Sequence, residues 1–88
     1  MKVVAVYKHE SDHARVVTDW LRDFRRQTGK VVEELEPDTR EGMLFCSTYD
    51  IVEYPTLIAL DTDGQVQNVW RGAMLPTISE VSYYVREA

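Results

Sequence analysis

The pattern of apolar and polar positions divides the chain into seven elements. Lys2-Val3-Val4-Ala5-Val6-Tyr7 is a near-continuous apolar run with β-branched residues. That is the pattern of a strand covered on both faces, as in a parallel α/β sheet. Lys8-His9-Glu10 breaks the run. Val16, Val17, Trp20, Leu21 and Phe24 then recur at helical spacing and form one apolar stripe. Ser11 is the expected N-cap of this helix, with Asp12 in its first turn. Arg25 and Arg26 suit its C-terminal end, and Gly29 suits the C′ position. Residues 30–36 read as a second strand, half polar and so nearer an edge, ended by Pro37. Asp38-Thr39-Arg40-Glu41 has the form of a capping box with Asp38 as the cap. It predicts a short helix over residues 39–48 that buries some of Met43, Leu44, Phe45 and Cys46. Gly42 inside that helix costs about 1 kcal/mol relative to alanine.

Pro55 directly precedes the apolar run Thr56-Leu57-Ile58-Ala59-Leu60. Proline has no N–H for a strand ladder, so it fits a strand only at the first position, at an edge or at a bulge. Asp61-Thr62-Asp63-Gly64 is a hairpin turn in which Gly64 supplies the positive φ. Residues 65–71 form the return strand, and their polar content marks an edge. Gly72 closes it. Thr77-Ile78-Ser79-Glu80 is a second capping box, and Ile78, Val81, Tyr84 and Val85 give the closing helix its apolar face. The order is β-α-β-α-β-β-α. The first β-α-β unit requires a right-handed crossover between parallel strands. A four-stranded mixed sheet with helices on both faces satisfies the pattern.

Composition narrows the function classes. A length of 88 residues fits one domain, residues 1–88, with a small core. The net charge of −5 argues against a nucleic-acid footprint, which needs a clustered basic face. Arg22, Arg25 and Arg26 are the local exception and read as a solvated helix end. No run approaches the roughly 18 apolar residues of a membrane span. The apolar start is too short for a secretory signal, so the expected location is the cytoplasm and no membrane partner is expected. The single cysteine, Cys46, excludes an internal disulfide and a cysteine-rich metal site.

The element order, with a Tyr-Pro-Thr turn opening the third strand, resembles the thioredoxin/glutaredoxin superfamily. The match is most specific over residues 49–72: Tyr-Asp-Ile-Val-Glu-Tyr-Pro-Thr-Leu-Ile-Ala-Leu, then Asp-Gly, then Val, Arg and Gly72. The resemblance implies a thioredoxin-like α/β domain with strand order 2-1-3-4, three helices and a cis Tyr54–Pro55 bond. It also implies a Cys-x-x-Cys at the start of the first helix. There the helix-end N–H groups lower the first thiol's pKa, and the second thiol resolves the mixed disulfide. The corresponding stretch here is Ser11-Asp12-His13-Ala14, with neither cysteine. Serine cannot perform thiol–disulfide exchange, so the departure counts against an enzyme.

Other chemistry is thin. Cys46 reads as a small core residue rather than a redox site. His9 and His13 are four apart, but His9 precedes the helix, so metal binding is not expected and no cofactor is implied. Ser11 as a nucleophile with His13 as base lacks an orienting group and an oxyanion hole, and no catalytic residue is assigned. Asp61-x-Asp63-Gly64 lacks the glutamate of a calcium loop, since position 72 is Gly72. The tyrosines and Trp70 read as core or surface filling.

Two functional classes remain. The first is a redox-inactive binding module whose groove receives a protein or peptide. By the resemblance, Ser11, His13, Glu53, Tyr54, Pro55 and Gly72 line that groove, and an extended peptide pairs with backbone just before the proline. The alternative is a thiol-redox or glutathione-dependent enzyme with a non-standard site, using glutathione's own thiol and Ser11 as donor. The edge strand at residues 65–71 offers a second surface for weak dimerisation or strand addition.

Overall fold

The computed structural model describes residues 1–85. Seven elements follow one another: β1 (Lys2–Val6), α1 (Ala14–Thr28), β2 (Glu33–Leu35), α2 (Arg40–Tyr49), β3 (Thr56–Leu60), β4 (Val66–Arg71) and α3 (Ile78–Tyr84). The sheet runs β2-β1-β3-β4. β1 and β2 are parallel, and β3 is antiparallel to both β1 and β4.

Side-chain alternation along the two central strands divides the core in two. Val3, Ala5, Tyr7, Leu57 and Ala59 face Val17 and Phe24 of α1 and Val81 of α3. Val4, Val6, Ile58 and Leu60 face Cys46 of α2 and Ile51. Both faces of β1 and β3 are therefore apolar, which is why their sequences run rather than alternate. The edge strands β2 and β4 are more polar and more exposed.

Several expectations are corrected. Ser11 does not cap α1, and Asp12 is not in its first turn. The N-cap is His13, it makes no side-chain cap, and no acidic residue lies in the first turn. The Ser11 hydroxyl instead donates to the Lys8 carbonyl at 2.5 Å, while the Ser11 carbonyl accepts from Ala14 N–H at 3.2 Å. Ser11 thus closes a turn ahead of the helix, which starts at Ala14 with His13 as its N-cap. Val16 is half exposed. It lies about 100° around the helix from Val17, so both cannot centre on the buried face. β2 is only three residues long, and residues 30–32 lead into it rather than extending it.

In α2 the cap is Thr39, not Asp38: its hydroxyl accepts from Gly42 N–H at 3.0 Å. The buried side carries Gly42 and Cys46 with Phe45 and Tyr49, so Met43 and Leu44 point outward. At α3, Thr77 accepts from Glu80 N–H at 3.1 Å, the bond a capping box requires.

Candidate functional site

The turn before β3 positions the centre of the site. Tyr54–Pro55 is cis. The Pro55 carbonyl accepts from Gly72 N–H at 2.8 Å, which fixes the loop to the end of β4. Thr56, buried, donates its hydroxyl to the Glu53 carbonyl at 2.6 Å and holds the turn from the other side. Gly72 has φ +95, and a Cβ there would sit 3.2 Å from Glu53 Oε2. The positive φ favours glycine there, and an added Cβ would also push the Glu53 carboxylate aside. Glu53, Tyr54, Pro55 and Gly72 form one contiguous group.

Ser11 and His13 form a second group, organised around Lys8. His13 Nε2 accepts from Lys8 N–H at 3.2 Å, and Ser11 donates to the Lys8 carbonyl. The link between the groups is Lys8 itself, whose ammonium lies 5.6 Å from the Tyr54 ring centroid. Among the described residues, neither Ser11 nor His13 is hydrogen-bonded to Tyr54, Pro55 or Gly72. His9 and His13 both precede the helical residues of α1, so helical i, i+4 spacing does not apply to them. The described residues contain no group of three His, Cys, Asp or Glu placed to hold a metal.

Tyr54 also reaches inward. Its hydroxyl donates to Cys46 Sγ at 4.0 Å. Burial, then the bond to Cys46, pushes the phenol above its ordinary pKa. Cys46 is buried in α2, against the sheet face opposite α1.

Two contributors were not legible beforehand. Glu36 ties the loops behind the site: Oε1 accepts from His9 N–H and Oε2 from Asp38 N–H, both at 2.9 Å. These two backbone donors hold its carboxyl below the ordinary 4.5. The only sequence signal is a glutamate beside Pro37, which does not specify a long-range partner. Lys8 is the other, since nothing in the local pattern places it over Tyr54.

Val52, two residues before Tyr54, is 83% exposed, and Met74, two residues after Gly72, is 94% exposed. Among the described residues the Tyr54 N–H and carbonyl make no backbone–backbone hydrogen bond. The site can therefore offer an unpaired peptide unit, with exposed apolar side chains close by in the sequence on both segments.

No family model matches the chain, and no curated protein does. Solved structures do. Thioredoxin 1 from Thermosipho africanus superposes with a TM-score of 0.67 at 15% identity, covering 97% of this chain and 90% of that one. Oxidised mitochondrial thioredoxin 3 from Saccharomyces cerevisiae gives 0.68 at 17% identity, covering 94% and 74%. With the 2-1-3-4 sheet and its three flanking helices, these likenesses show that the chain has a thioredoxin-like fold.

Proposed function

We propose that the chain is a redox-inactive binding module that holds an extended peptide against Tyr54. The observation that carries this reading is the unpaired Tyr54 backbone beside the fixed Pro55–Gly72 contact. An extended peptide supplies the missing donor and acceptor by strand-like pairing. Val52 and Met74 give its side chains apolar contact. Gly72 lets the peptide approach closely, since no Cβ stands there.

The redox side of the proposal rests on chemistry. Ser11-Asp12-His13-Ala14 contains no thiol to attack a disulfide. Cys46 sits in the core under the Tyr54 hydroxyl and cannot reach a groove-bound disulfide without the loop opening. Fold alone does not carry activity from one protein to another.

The test is an NMR titration of the 15N-labelled protein with a panel of extended peptides, alongside an insulin-reduction assay. Shifts are expected at Glu53, Tyr54, Gly72 and Met74, with no turnover above background. Met74→Asp, a change at an exposed position, should weaken binding several-fold without altering unfolding. Absence of shifts at Tyr54 sinks the peptide reading. Turnover that disappears in Cys46→Ser or Ser11→Ala sinks the redox-inactive one.

A further inference from the structure

A second concave surface lies away from Tyr54, between the C-terminal half of α1 and the β2 edge. Its volume is about 620 Å³, within the usual range for ligand sites. Thr18, Leu21, Arg22, Arg25 and Arg26 line it from the helix; Val31, Val32 and Glu34 line it from the strand side. The floor is apolar, with Val32 buried and Val31 65% exposed at the lip. The helix wall is basic. In a chain of net charge −5, three of the ten Lys and Arg residues meet here.

The arginines are not fully used internally. Arg22 pairs with Asp19 at 3.4 Å and Arg26 with Asp23 at 3.0 Å, both exposed contacts worth little. Arg25 makes no ion pair among the described residues. The lining holds three guanidinium groups against one carboxylate, Glu34, which accepts from the Tyr7 hydroxyl at 2.6 Å. Beside this wall, β2 is paired only with β1. The Leu35 carbonyl accepts from Tyr7 N–H, so Leu35 turns its backbone groups toward β1. By strand alternation, Glu34 turns its N–H and carbonyl outward.

We propose that this surface binds an acidic, extended segment of a partner protein that adds alongside β2. Its backbone pairs with Glu34, its carboxylates project on the α1 side to meet Arg22 and Arg25, and its alternate, apolar side chains turn to the opposite face of the sheet. Strand addition gives the orientation, and bidentate guanidinium–carboxylate contacts give the charge preference.

The test uses the capped hexapeptide Glu-Leu-Glu-Leu-Glu-Leu, its Lys-Leu counterpart and inorganic phosphate, each titrated into the 15N-labelled full chain. The acidic peptide is expected to shift the amides of Arg22, Arg25, Val31 and Glu34. Its Kd should rise at least tenfold in R22E/R25E and rise again with salt. Those arginines are exposed, and an unchanged circular dichroism spectrum checks that the variant folds. Four results each overturn the proposal: no shift at these amides; equal shifts from the Lys-Leu peptide; equal shifts from phosphate, which would make this a small-anion site; or binding unaffected by R22E/R25E. Shifts confined to Tyr54 and Gly72 also overturn it while leaving the groove proposal intact.

Discussion

The starts of α1 and α2 lie near each other and are built on different terms. α2 begins on a junction whose residues are specified by contact. Thr39 caps Gly42 N–H and donates its own hydroxyl to the Glu36 carbonyl at 2.8 Å. Gly42 packs so closely on Glu36 that an added Cβ would overlap its carbonyl oxygen and stand 2.9 Å from Pro37 Cα. α1 begins on a loop held by Lys8, Ser11 and His13 and tied to Glu36 through His9 N–H, and its cap position makes no side-chain bond. The first junction constrains residue identity strongly. The start of α1 constrains it weakly.

The largest expected effect follows from Gly42. On helix propensity alone, Gly42→Ala should stabilise by about 1 kcal/mol. The atoms that an alanine meets are backbone, which cannot rotate away. Overpacking of this kind costs about 1–3 kcal/mol. Meeting backbone atoms puts this case at the upper end of that range, so with the propensity gain offset a net loss of about 2 kcal/mol in urea unfolding is expected. The matching change at the other helix start, Asp12→Ala, lies on the surface and should stay within about 0.5 kcal/mol. Equal costs at the two sites would erase the contrast.

Gly42 also shows what the sequence could and could not convey. Periodicity alone reads it as a helix weakness; its close approach to Glu36 depends on how the chain returns from β2, which no local window contains. The central strands were legible because burial on both faces writes a continuous apolar run, and β3 matches its predicted span at residues 56–60. The Thr77 capping box was legible because donor and acceptor are three residues apart. The same rule failed at Ser11, because the helix starts at Ala14 and the N-cap position falls to His13. The site was half legible. Tyr54, Pro55 and Gly72 announce themselves through backbone chemistry. The roles of Lys8 and Glu36 arise from contacts across the fold. The arginines were visible as residues, but their meeting with Val31 and Glu34 required the tertiary structure.

Caps give a finer version of the comparison. Thr39→Ala removes the acceptor for Gly42 N–H and should cost about 1 kcal/mol. Ser11→Ala removes one hydroxyl bond to Lys8 in a half-buried turn that keeps its Ala14 backbone contact. A cost of about 0.5 kcal/mol is expected, at the low end for such a bond. Denaturant midpoints for the two variants, measured side by side, decide it. If Ser11→Ala proves the costlier, the start of α1 is more constrained than its hydrogen bonds imply.

The smallest expected effect tests the residue that joins the two helix starts. Glu36 spans them, taking His9 N–H on one carboxylate oxygen and Asp38 N–H on the other. Those donors favour the ionised form and lower its pKa in the folded state below 4.5. A group whose folded pKa is depressed contributes stability above its unfolded pKa, and that contribution is lost as pH falls through the folded value. The denaturant midpoint should therefore fall as pH drops below about 4.5. Glu36→Gln should flatten that part of the profile while lowering the plateau at neutral pH, because the amide NH2 cannot accept from a backbone N–H. The direction is fixed by the sign of the shift; a profile unchanged by Glu36→Gln would mean that the two loops hold together without this carboxylate. In that case the loop before α1 is independent of the α2 junction, and the contrast between the two helix starts is deeper than the hydrogen bonds suggest.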